Sequence, residues 1–248
     1  MLTEGVLAVI PARYGSTRLP GKVVLDVAGK PLVQHVYERV CRAGTVTACV
    51  VATDDTRVLD ALAPFGTETV MTSPNHRNGT DRIAEVAQSR TEPIVVNVQG
   101  DEPLIDPRVI DQAVYAIRED SSVMMSTLSC PIDPRDVDDP NIVKVVTDQI
   151  GRALYFSRAP IPVDRDGTGE AVYRKHVGLY VYRRDFLLDY TSWPATPLEK
   201  TERLEQLRVL EHGYSIMVVE TEYDSISVDS PSDLDRVRRI FRTPRESQ

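Results

Sequence analysis

Residues 6–22 read VLAVIPARYGSTRLPGK, an apolar run followed by a loop of basic and small residues. The apolar run has the length of a fully buried strand, and Pro11 ends it. The loop then carries three cations, Arg13, Arg18 and Lys22, together with two glycines and two hydroxyl side chains. Cations on flexible backbone at the carboxyl end of a first strand predict a site for an anionic ligand, most simply a polyphosphate.

The positive charge of this loop is local. Four basic side chains and one acidic side chain lie between residues 13 and 30, a local charge of +3 in a chain whose net charge is −8. The loop is not a P-loop, because five residues separate Gly15 from Gly21 and Lys22 is followed by Val23. The GxGxxG pattern of dinucleotide sites is also missing after the strand. A solvated basic loop without a ligand is the alternative interpretation.

Composition limits the class of protein. A chain of 248 residues can form one large α/β domain or one domain with a sub-domain. The net charge of −8 argues against general nucleic-acid binding and against docking on anionic membranes. Apolar runs stay well short of the roughly 18 residues of a membrane span, and no signal-like segment precedes the first strand. We therefore expect a cytoplasmic protein.

The three cysteines are Cys41, Cys49 and Cys130. Their odd number and wide spacing fit neither a disulfide framework nor a zinc signature. Cys49 lies in an apolar run and is predicted to be a buried, inert thiol.

Strand-like runs alternate with helical segments through the first half. Runs suited to strands lie at residues 6–10, 46–52, 67–71, 94–98 and 123–128. Segments with helical spacing or helix caps lie at 32–43, 56–63, from 79 onward and at 107–118. This alternation predicts βαβ units and a mainly parallel sheet, an α/β fold. Polar clusters follow the strands, at the carboxyl ends where such sheets bind ligands.

The second half changes character. Short strands are predicted at 142–147, 153–157 and 177–182, which indicates an inserted, more antiparallel unit. A helix is predicted from a capping box at Thr196 to about His212, a strand at 215–220 and a last helix at 231–241. We expect one structural domain overall with three ranges. They are a nucleotide-binding core at 1–130, the inserted sub-domain at 131–196, and a return to the core at 197–248.

Two aspartates are candidate metal ligands. Asp101 follows a buried strand and a tight glycine turn, and Asp229 ends a short strand directly before a helix. Mg²⁺ prefers one or two carboxylates plus water and substrate phosphates. Asp101 can also be a simple turn residue and Asp229 a helix cap, although Ser230 already suits the cap. Combined with the basic first loop, the two acids favour a metal–phosphate site.

An ordered set of motifs carries a family resemblance over nearly the whole chain. The motifs are IPARYGSTRLPGK at 10–22, ATD at 52–54, GTDR at 79–82, NVQGDEP at 97–103, LYFSR at 154–158 and LEQLR at 204–208. Together they resemble the bacterial 3-deoxy-D-manno-octulosonate (Kdo) cytidylyltransferase family, the CMP-Kdo synthetases. The resemblance implies a Rossmann-like nucleotidyltransferase fold, dependence on CTP and Mg²⁺, a homodimer and a role in lipopolysaccharide synthesis.

The resemblance also implies roles for individual residues. Nucleotide binding falls to Ala12, Arg13, Arg18, Lys22, Thr72, Ser73, Gly79, Thr80, Arg82 and Gln99, with Arg13, Lys22 and Asp101 as the catalytic group. Asp101 and Asp229 would bind Mg²⁺. The sugar acid would be held by Arg158, His176, Tyr180, Glu205 and Gln206. Purely structural roles are the alternative for four of these residues. Tyr180 can be a core residue, His176 a hydrogen-bonded strand residue, and Glu205 and Gln206 part of a solvated helix face.

The chain departs from the family pattern at one place. The family commonly has His-Gln-Ser-Gly-Thr followed by Glu, whereas this chain has His76-Arg77-Asn78-Gly79-Thr80 followed by Asp81. The departure leaves room for a related acceptor, such as an 8-amino analogue of Kdo.

The reaction implied is CTP + Kdo → CMP-Kdo + pyrophosphate, by in-line attack of the C2 hydroxyl on the α-phosphorus. A dedicated general base is not evident. The alternatives are a transferase for sialic acid or another sugar, a non-catalytic nucleotide-binding regulator and, last, a hydrolase. The inserted range 131–196 is the expected dimer interface.

Overall fold

The computed structural model describes residues 4–15 and 19–242, so the predicted role of Arg18 lies outside the described residues. The chain divides into two compact units, each described separately below. The first comprises Met1–Asp111 and Ser225–Gln248, and the second comprises Gln112–Asp224.

Strands and helices alternate along the chain. Up to the division the elements are β1 (Val6–Pro11), β2 (Asp26–Val27), β3 (Lys30–Pro31), α1 (Leu32–Val40), β4 (Ala48–Thr53), α2 (Thr56–Leu62), β5 (Thr69–Met71), α3 (Gly79–Gln88), β6 (Ile94–Asn97) and α4 (Pro107–Glu119), in which the division falls. They continue with β7 (Met125–Pro131), β8 (Lys144–Thr147), β9 (Ala153–Ser157), β10 (Arg174–Arg183), α5 (Arg184–Ser192), α6 (Pro197–Glu202), α7 (Leu207–Glu211), β11 (Ile216–Glu220) and α8 (Pro231–Arg242).

The first unit contains the predicted parallel sheet. β1 pairs in parallel with β4 and with β6, and β4 pairs in parallel with β5. The first five residues of β1 are fully buried, as expected for a strand covered on both faces. Because the strands run in one direction, their carboxyl ends lie at one edge of the sheet. The segments after β1, β4, β5 and β6 therefore meet at that edge.

The C-terminal helix belongs to the first unit. Leu234 and Val237 of α8 pack with Val27, Leu32 and Val228 in one apolar cluster. This packing fixes the segment just before α8, which carries Asp229.

Most predicted helix starts are confirmed at the atomic level. Asp55 caps α2 by accepting from the N–H of Arg57, and Asn78 caps α3 by accepting from the N–H of Asp81. Ser230 and Asp233 form a reciprocal cap at the start of α8. Asn78 stands where the family commonly has Ser, and both residue types are good helix caps.

The first predicted helix is shorter than the sequence indicated. It ends at Val40 rather than at residue 43. Beyond it, the N–H of Arg42 and that of Ala43 bond to carbonyls three residues back, which tightens the chain into a turn. The carboxylate of Asp111 then accepts from the N–H groups of Gly44 and Thr45 and holds the turn.

The second unit is a mixed sheet. β10 pairs antiparallel with β7 and β8, β8 pairs antiparallel with β9, and β11 pairs in parallel with β7. These pairings explain why the unit's bounds differ from the predicted ranges 1–130, 131–196 and 197–248. β7 pairs with β10 of the insertion on one side and with β11 on the other, so residues 112–130 and 197–224 group with the insertion.

One helical prediction in this unit is wrong, and one helix was not predicted. The helix expected from 197 to 212 is interrupted, because Arg203 adopts a left-handed conformation (φ 54°) that ends α6 before α7 begins. Helix α5 was not predicted, because it follows β10 directly with no Gly or Pro to mark its start. Within the described part of the chain, none of the helices is long and apolar enough to cross a membrane.

Candidate active site

The parallel strand ends of the first unit open onto a cleft of about 340 Å³. Its walls come from the ends of β1 and β6, the start of α3 and the segment before α8. The lining residues are Pro11, Arg13, Lys22, Val23, His76, Arg77, Asn78, Gly79, Arg82, Gln99, Gly100, Asp101 and Asp229. The volume is within the range of small-molecule sites.

Lys22 sits between the two predicted metal ligands. Its Nζ lies 2.5 Å from Asp101 Oδ2 and 2.9 Å from Asp229 Oδ1. The backbone holds the two acids together as well, because the N–H of Val228 donates to the carbonyl of Asp101 at 2.9 Å. Asp101 and Asp229 follow Lys22 in the sequence by 79 and 207 positions, and the fold brings all three into one charged cluster.

The charges in this cluster determine the ionisation of Lys22. Partial burial acts to lower the pKa of the ammonium, but Asp101 and then Asp229 outweigh it, and the pKa is raised above 10.5. Lys22 is therefore a permanent cation at neutral pH. One cation facing two carboxylates leaves the cluster with an excess negative charge.

A close approach of backbone makes this arrangement possible. A Cβ placed on Gly100 would lie 2.8 Å from the carbonyl oxygen of Pro11, so only glycine fits where β6 ends beside β1. Gly21, at φ 69°, turns the first loop back so that Lys22 faces the cleft, and the N–H of Gly21 donates to the carbonyl of Tyr14.

Arg82 is held rigidly at the cleft wall. It is almost fully buried, with its guanidinium donating to Asp54 Oδ2 at 2.8 Å and to Thr72 Oγ1. The hydroxyl of Thr72 in turn donates to the carbonyl of Thr53 at 2.9 Å. This network links the ends of β4 and β5 to α3.

The predicted nucleotide-binding residues fall into two groups. Arg13, Lys22, Gly79, Arg82 and Gln99 line the cleft. Four others lie behind its surface: Ala12, Thr72 and Thr80, which are buried, and Ser73, which is half-buried. The structure thus brings the nine described residues of this set to one edge of the sheet, but four of them lie behind the cleft wall rather than line it.

The carboxylate pair fits the donor set that Mg²⁺ prefers. Two oxygen ligands are enough for this ion when substrate phosphates and water complete its shell. Among residues 4–15 and 19–242, no group of three or more His, Cys, Asp and Glu side chains is arranged to hold a metal ion by itself. A metal at Asp101 and Asp229 would therefore depend on a bound polyphosphate.

The predicted sugar-acid residues lie in the second unit. The rings of His176 and Tyr180 are 5.3 Å apart on β10, beside a bulge. The hydroxyl of Thr127 donates to the carbonyl of Leu179 at 2.8 Å, so its oxygen accepts from His176 Nε2–H at 2.9 Å. This assignment places a proton on Nε2, so that Nδ1 carries the lone pair when the ring is neutral. Burial lowers the pKa of His176 to about 3, in agreement with a neutral ring.

Glu205 and Gln206 lie at the break between α6 and α7, not on an exposed helix face. Burial raises the pKa of Tyr180 well above its usual value, and the nearby carboxylate of Glu205 adds to the effect. Gln206 is 2% exposed, and its Nε2 has no hydrogen-bond partner among the described residues. A buried amide donor without a protein partner is unusual, and this N–H is available to a bound molecule.

The hydrogen-bond partners of Arg158 were not predicted. Its guanidinium donates to the carbonyls of Glu202 at 2.8 Å and Pro140 at 2.9 Å, with a longer contact to Arg203. These bonds use three of the five N–H groups of the side chain, which leaves two for an anionic ligand. Its role toward a sugar acid stays a prediction.

Two residues that support the cleft wall from behind were not predicted. Asp54 fixes Arg82, and Glu85 contacts Ser73 and His76. Asp54 belongs to the ATD motif at 52–54 and directly follows β4, and this position at a strand end is a usable signal. Glu85 lies inside an ordinary amphipathic helix, and only its contacts single it out.

Comparisons with known proteins agree with this geometry. A family model described as "Cytidylyltransferase" matches residues 7–217. A 3-deoxy-manno-octulosonate cytidylyltransferase from Solibacter usitatus (strain Ellin6076) is 57% identical over 238 residues, which cover 96% of this chain and 94% of the relative. One from Geobacter metallireducens (strain ATCC 53774 / DSM 7210 / GS-15) is 55% identical, covering 94% and 96%. The solved structure of a CMP:2-keto-3-deoxy-manno-octonic acid synthetase complexed with CTP superimposes with a TM-score of 0.92 at 44% identity, covering 95% of this chain and 98% of that one.

Proposed function

The chain belongs to the cytidylyltransferase family, and from this premise we propose that it transfers the cytidylyl group of CTP to Kdo, forming CMP-Kdo and pyrophosphate. The observation that carries the proposal is the cluster in which Lys22 bridges Asp101 and Asp229 in a cleft that also presents Arg13 and Gln99. A cluster of this kind is suited to a nucleoside triphosphate with its metal. The product would serve lipopolysaccharide synthesis.

Cations at the first loop would carry the phosphate chemistry. Arg13 and Lys22 line the cleft beside the carboxylate pair. Positive groups aimed at the α-phosphate and the departing pyrophosphate stabilise the charge that develops in phosphoryl transfer. Because no covalent enzyme intermediate is needed, positioning and charge neutralisation account for most of the rate enhancement.

We include Mg²⁺ in the proposal, with Asp101 and Asp229 as its protein ligands. When bound, the ion supplies charge neutralisation on phosphate oxygens and acidifies a coordinated hydroxyl. Lys22 now occupies the space between the two carboxylates, so its ammonium would turn toward the phosphates when the carboxylates bind a metal. The excess negative charge of the cluster supports this exchange.

The second unit would hold the acceptor. His176, Tyr180, Glu205 and Gln206 combine a neutral ring, a hydroxyl, a carboxylate and a buried amide with a free donor. Such a mixture of acceptors and donors suits the hydroxyl groups of a sugar, and the unused N–H groups of Arg158 suit its carboxylate. The unpartnered Gln206 amide is the strongest support for a ligand here.

Pyrophosphate release tests the proposal. Purified protein is mixed with CTP and Mg²⁺ and with Kdo, 8-amino-Kdo or sialic acid in turn, with UTP and dTTP as competing nucleotides. We expect release with CTP and Kdo. Release with only one of the other acids would mean that this acid, and not Kdo, is the acceptor. Release with none of them would favour a nucleotide-binding regulator.

Asp101→Asn is expected to abolish turnover while the protein stays folded, because it removes one negative oxygen donor from the cluster. Asp60→Asn, an exposed carboxylate on α2, is the matched control and should keep full activity. Near-normal turnover by Asp101→Asn would remove the proposed metal role.

We also propose a homodimer formed through the predicted insertion. Exposed apolar side chains are concentrated there, at Ile150 (63% exposed), Leu154 (62%), Val163 (79%) and Val172 (70%). Single exposed apolar residues are common, but four within 23 positions favour a covered surface. Leu154→Glu should shift the mass measured by light scattering from dimer to monomer, and a monomeric wild type would contradict this proposal.

We also propose a cytoplasmic location, which cell fractionation tests.

A further inference from the structure

The segment between β5 and α3, residues 72–78, forms one wall of the cleft. His76, Arg77 and Asn78 line it directly. The ends of the segment are anchored, because the N–H of Thr72 donates to the carbonyl of Thr53 at 2.8 Å and Asn78 caps α3. What holds its middle is therefore decisive for the shape of the wall.

Glu85 holds the middle of this segment from behind. Its Oε2 accepts from the N–H of Ser73 at 3.0 Å and pairs with His76 Nε2. The hydroxyl of Ser73 accepts from the N–H of Asn75, so the bond to Glu85 fixes a small turn as well as one residue. Glu85 itself does not line the cleft in the described part of the chain.

The charge state of Glu85 suits this task. The N–H of Ser73, followed by His76, lowers the pKa of the carboxyl below its ordinary value. Glu85 is therefore ionised at neutral pH, and a carboxylate makes stronger hydrogen bonds than a neutral acceptor. Arg82 adds positive charge from the same helix.

We propose that Glu85 is a positioning residue that sets the affinity for the nucleotide by holding Ser73 and His76 in place, without touching the nucleotide. The inference rests on the proposed function, since it assigns the cleft to CTP. Without the carboxylate, the wall segment samples several arrangements, and binding must select the competent one. The affinity for CTP falls by the fraction of time spent in that arrangement.

The test compares Glu85→Ala and Glu85→Gln with wild type. CTP affinity is measured by titration calorimetry, and kcat and KM for each substrate by pyrophosphate release. We expect about a tenfold weaker CTP affinity for Glu85→Ala, with kcat and the KM for Kdo within twofold of wild type. Glu85→Gln should recover part of the loss, because its amide oxygen can still accept from Ser73. Gln88→Ala, at the exposed end of the same helix, is the matched control.

The outcomes separate the two proposals. If wild type binds CTP but releases no pyrophosphate with any acceptor, the proposed function is wrong. The ratio of the CTP affinities of Glu85→Ala and wild type still tests the role of Glu85 in that case. Unchanged CTP affinity in Glu85→Ala overturns the positioning role. A lowered melting temperature with unchanged CTP affinity at a temperature where the variant is folded also overturns it, because Glu85 would then be purely structural.

Discussion

Replacing Lys22 by Met should destabilise the protein by leaving two carboxylates face to face. The side chain of Lys22 is 13% exposed, and those of Asp101 and Asp229 are 23% and 33% exposed. A hydrogen bond to a charged group contributes about 1.5–3 kcal/mol, and breaking a fully buried pair costs about 3–5 kcal/mol. Because all three groups retain some water, we expect a loss of about 2–3 kcal/mol. For a chain of this size, that lowers the melting temperature by about 4–12 °C.

The assay is unfolding by urea and by heat, in the absence of Mg²⁺. A double-mutant cycle with Asp101→Asn isolates the interaction, since removing one carboxylate also removes the repulsion that Lys22→Met exposes. The double variant should therefore be more stable than the sum of the single effects predicts, by about 1 kcal/mol or more. Lys200→Met, on the exposed face of α6, is the matched control and should change stability by less than about 0.5 kcal/mol.

Magnesium gives a second readout of the same cluster. Mg²⁺ should raise the melting temperature of Lys22→Met more than that of wild type, because the carboxylates no longer bind an ammonium. The reasoning fails if the two single substitutions are additive, or if Lys22→Met is no more harmful than Lys200→Met.

The pH dependence of this contribution follows from the raised pKa of Lys22. Its folded-state pKa lies above the ordinary value of 10.5, so the stabilisation is fully present below pH 10.5 and is lost as the pH rises through the folded-state value. As the pH rises above 10.5, wild type should lose more stability than Lys22→Met, as measured by urea midpoints.

Three further predictions concern single positions. Burial lowers the pKa of His176 to about 3 in the folded protein, whereas an unfolded histidine has a pKa of about 6.5. As the pH falls below about 6.5, the unfolded chain therefore takes up a proton first, and the stability declines toward pH 3. His176→Phe should show a smaller fall in melting temperature between about pH 7 and 4.5 than wild type. Gly100→Ala should cost about 1–3 kcal/mol in urea unfolding, since its Cβ meets the carbonyl of Pro11, whereas Gly15→Ala, with nothing within 4 Å, should cost less. Arg203→Gly should raise the unfolding free energy by up to about 1 kcal/mol by relieving the left-handed conformation, and a lower urea midpoint would contradict this.

Local patterns predicted the secondary structure well where caps and apolar runs coincide. The strand at 6–10, the strand at 153–157 and the caps at Asp55 and Ser230 agree closely with the structure, because these signals depend on neighbouring residues. The interrupted helix at 197–212 shows the limit. Its polar and apolar spacing suits a helix, but the chain turns at Arg203 to bury Gln206.

The sequence by itself determined the α/β class, the mainly parallel sheet and the gathering of polar and charged residues at the carboxyl ends of its strands. Hydrophobic periodicity and strand-end polar clusters are properties of adjacent residues, and a parallel sheet must bring its strand ends together. The tertiary structure decided which side chains meet there. It places Lys22 between two aspartates, pairs Arg82 with Asp54, and positions Glu85 behind the cleft wall. Those pairings depend on strand register and side-chain direction, which the packing of distant segments sets.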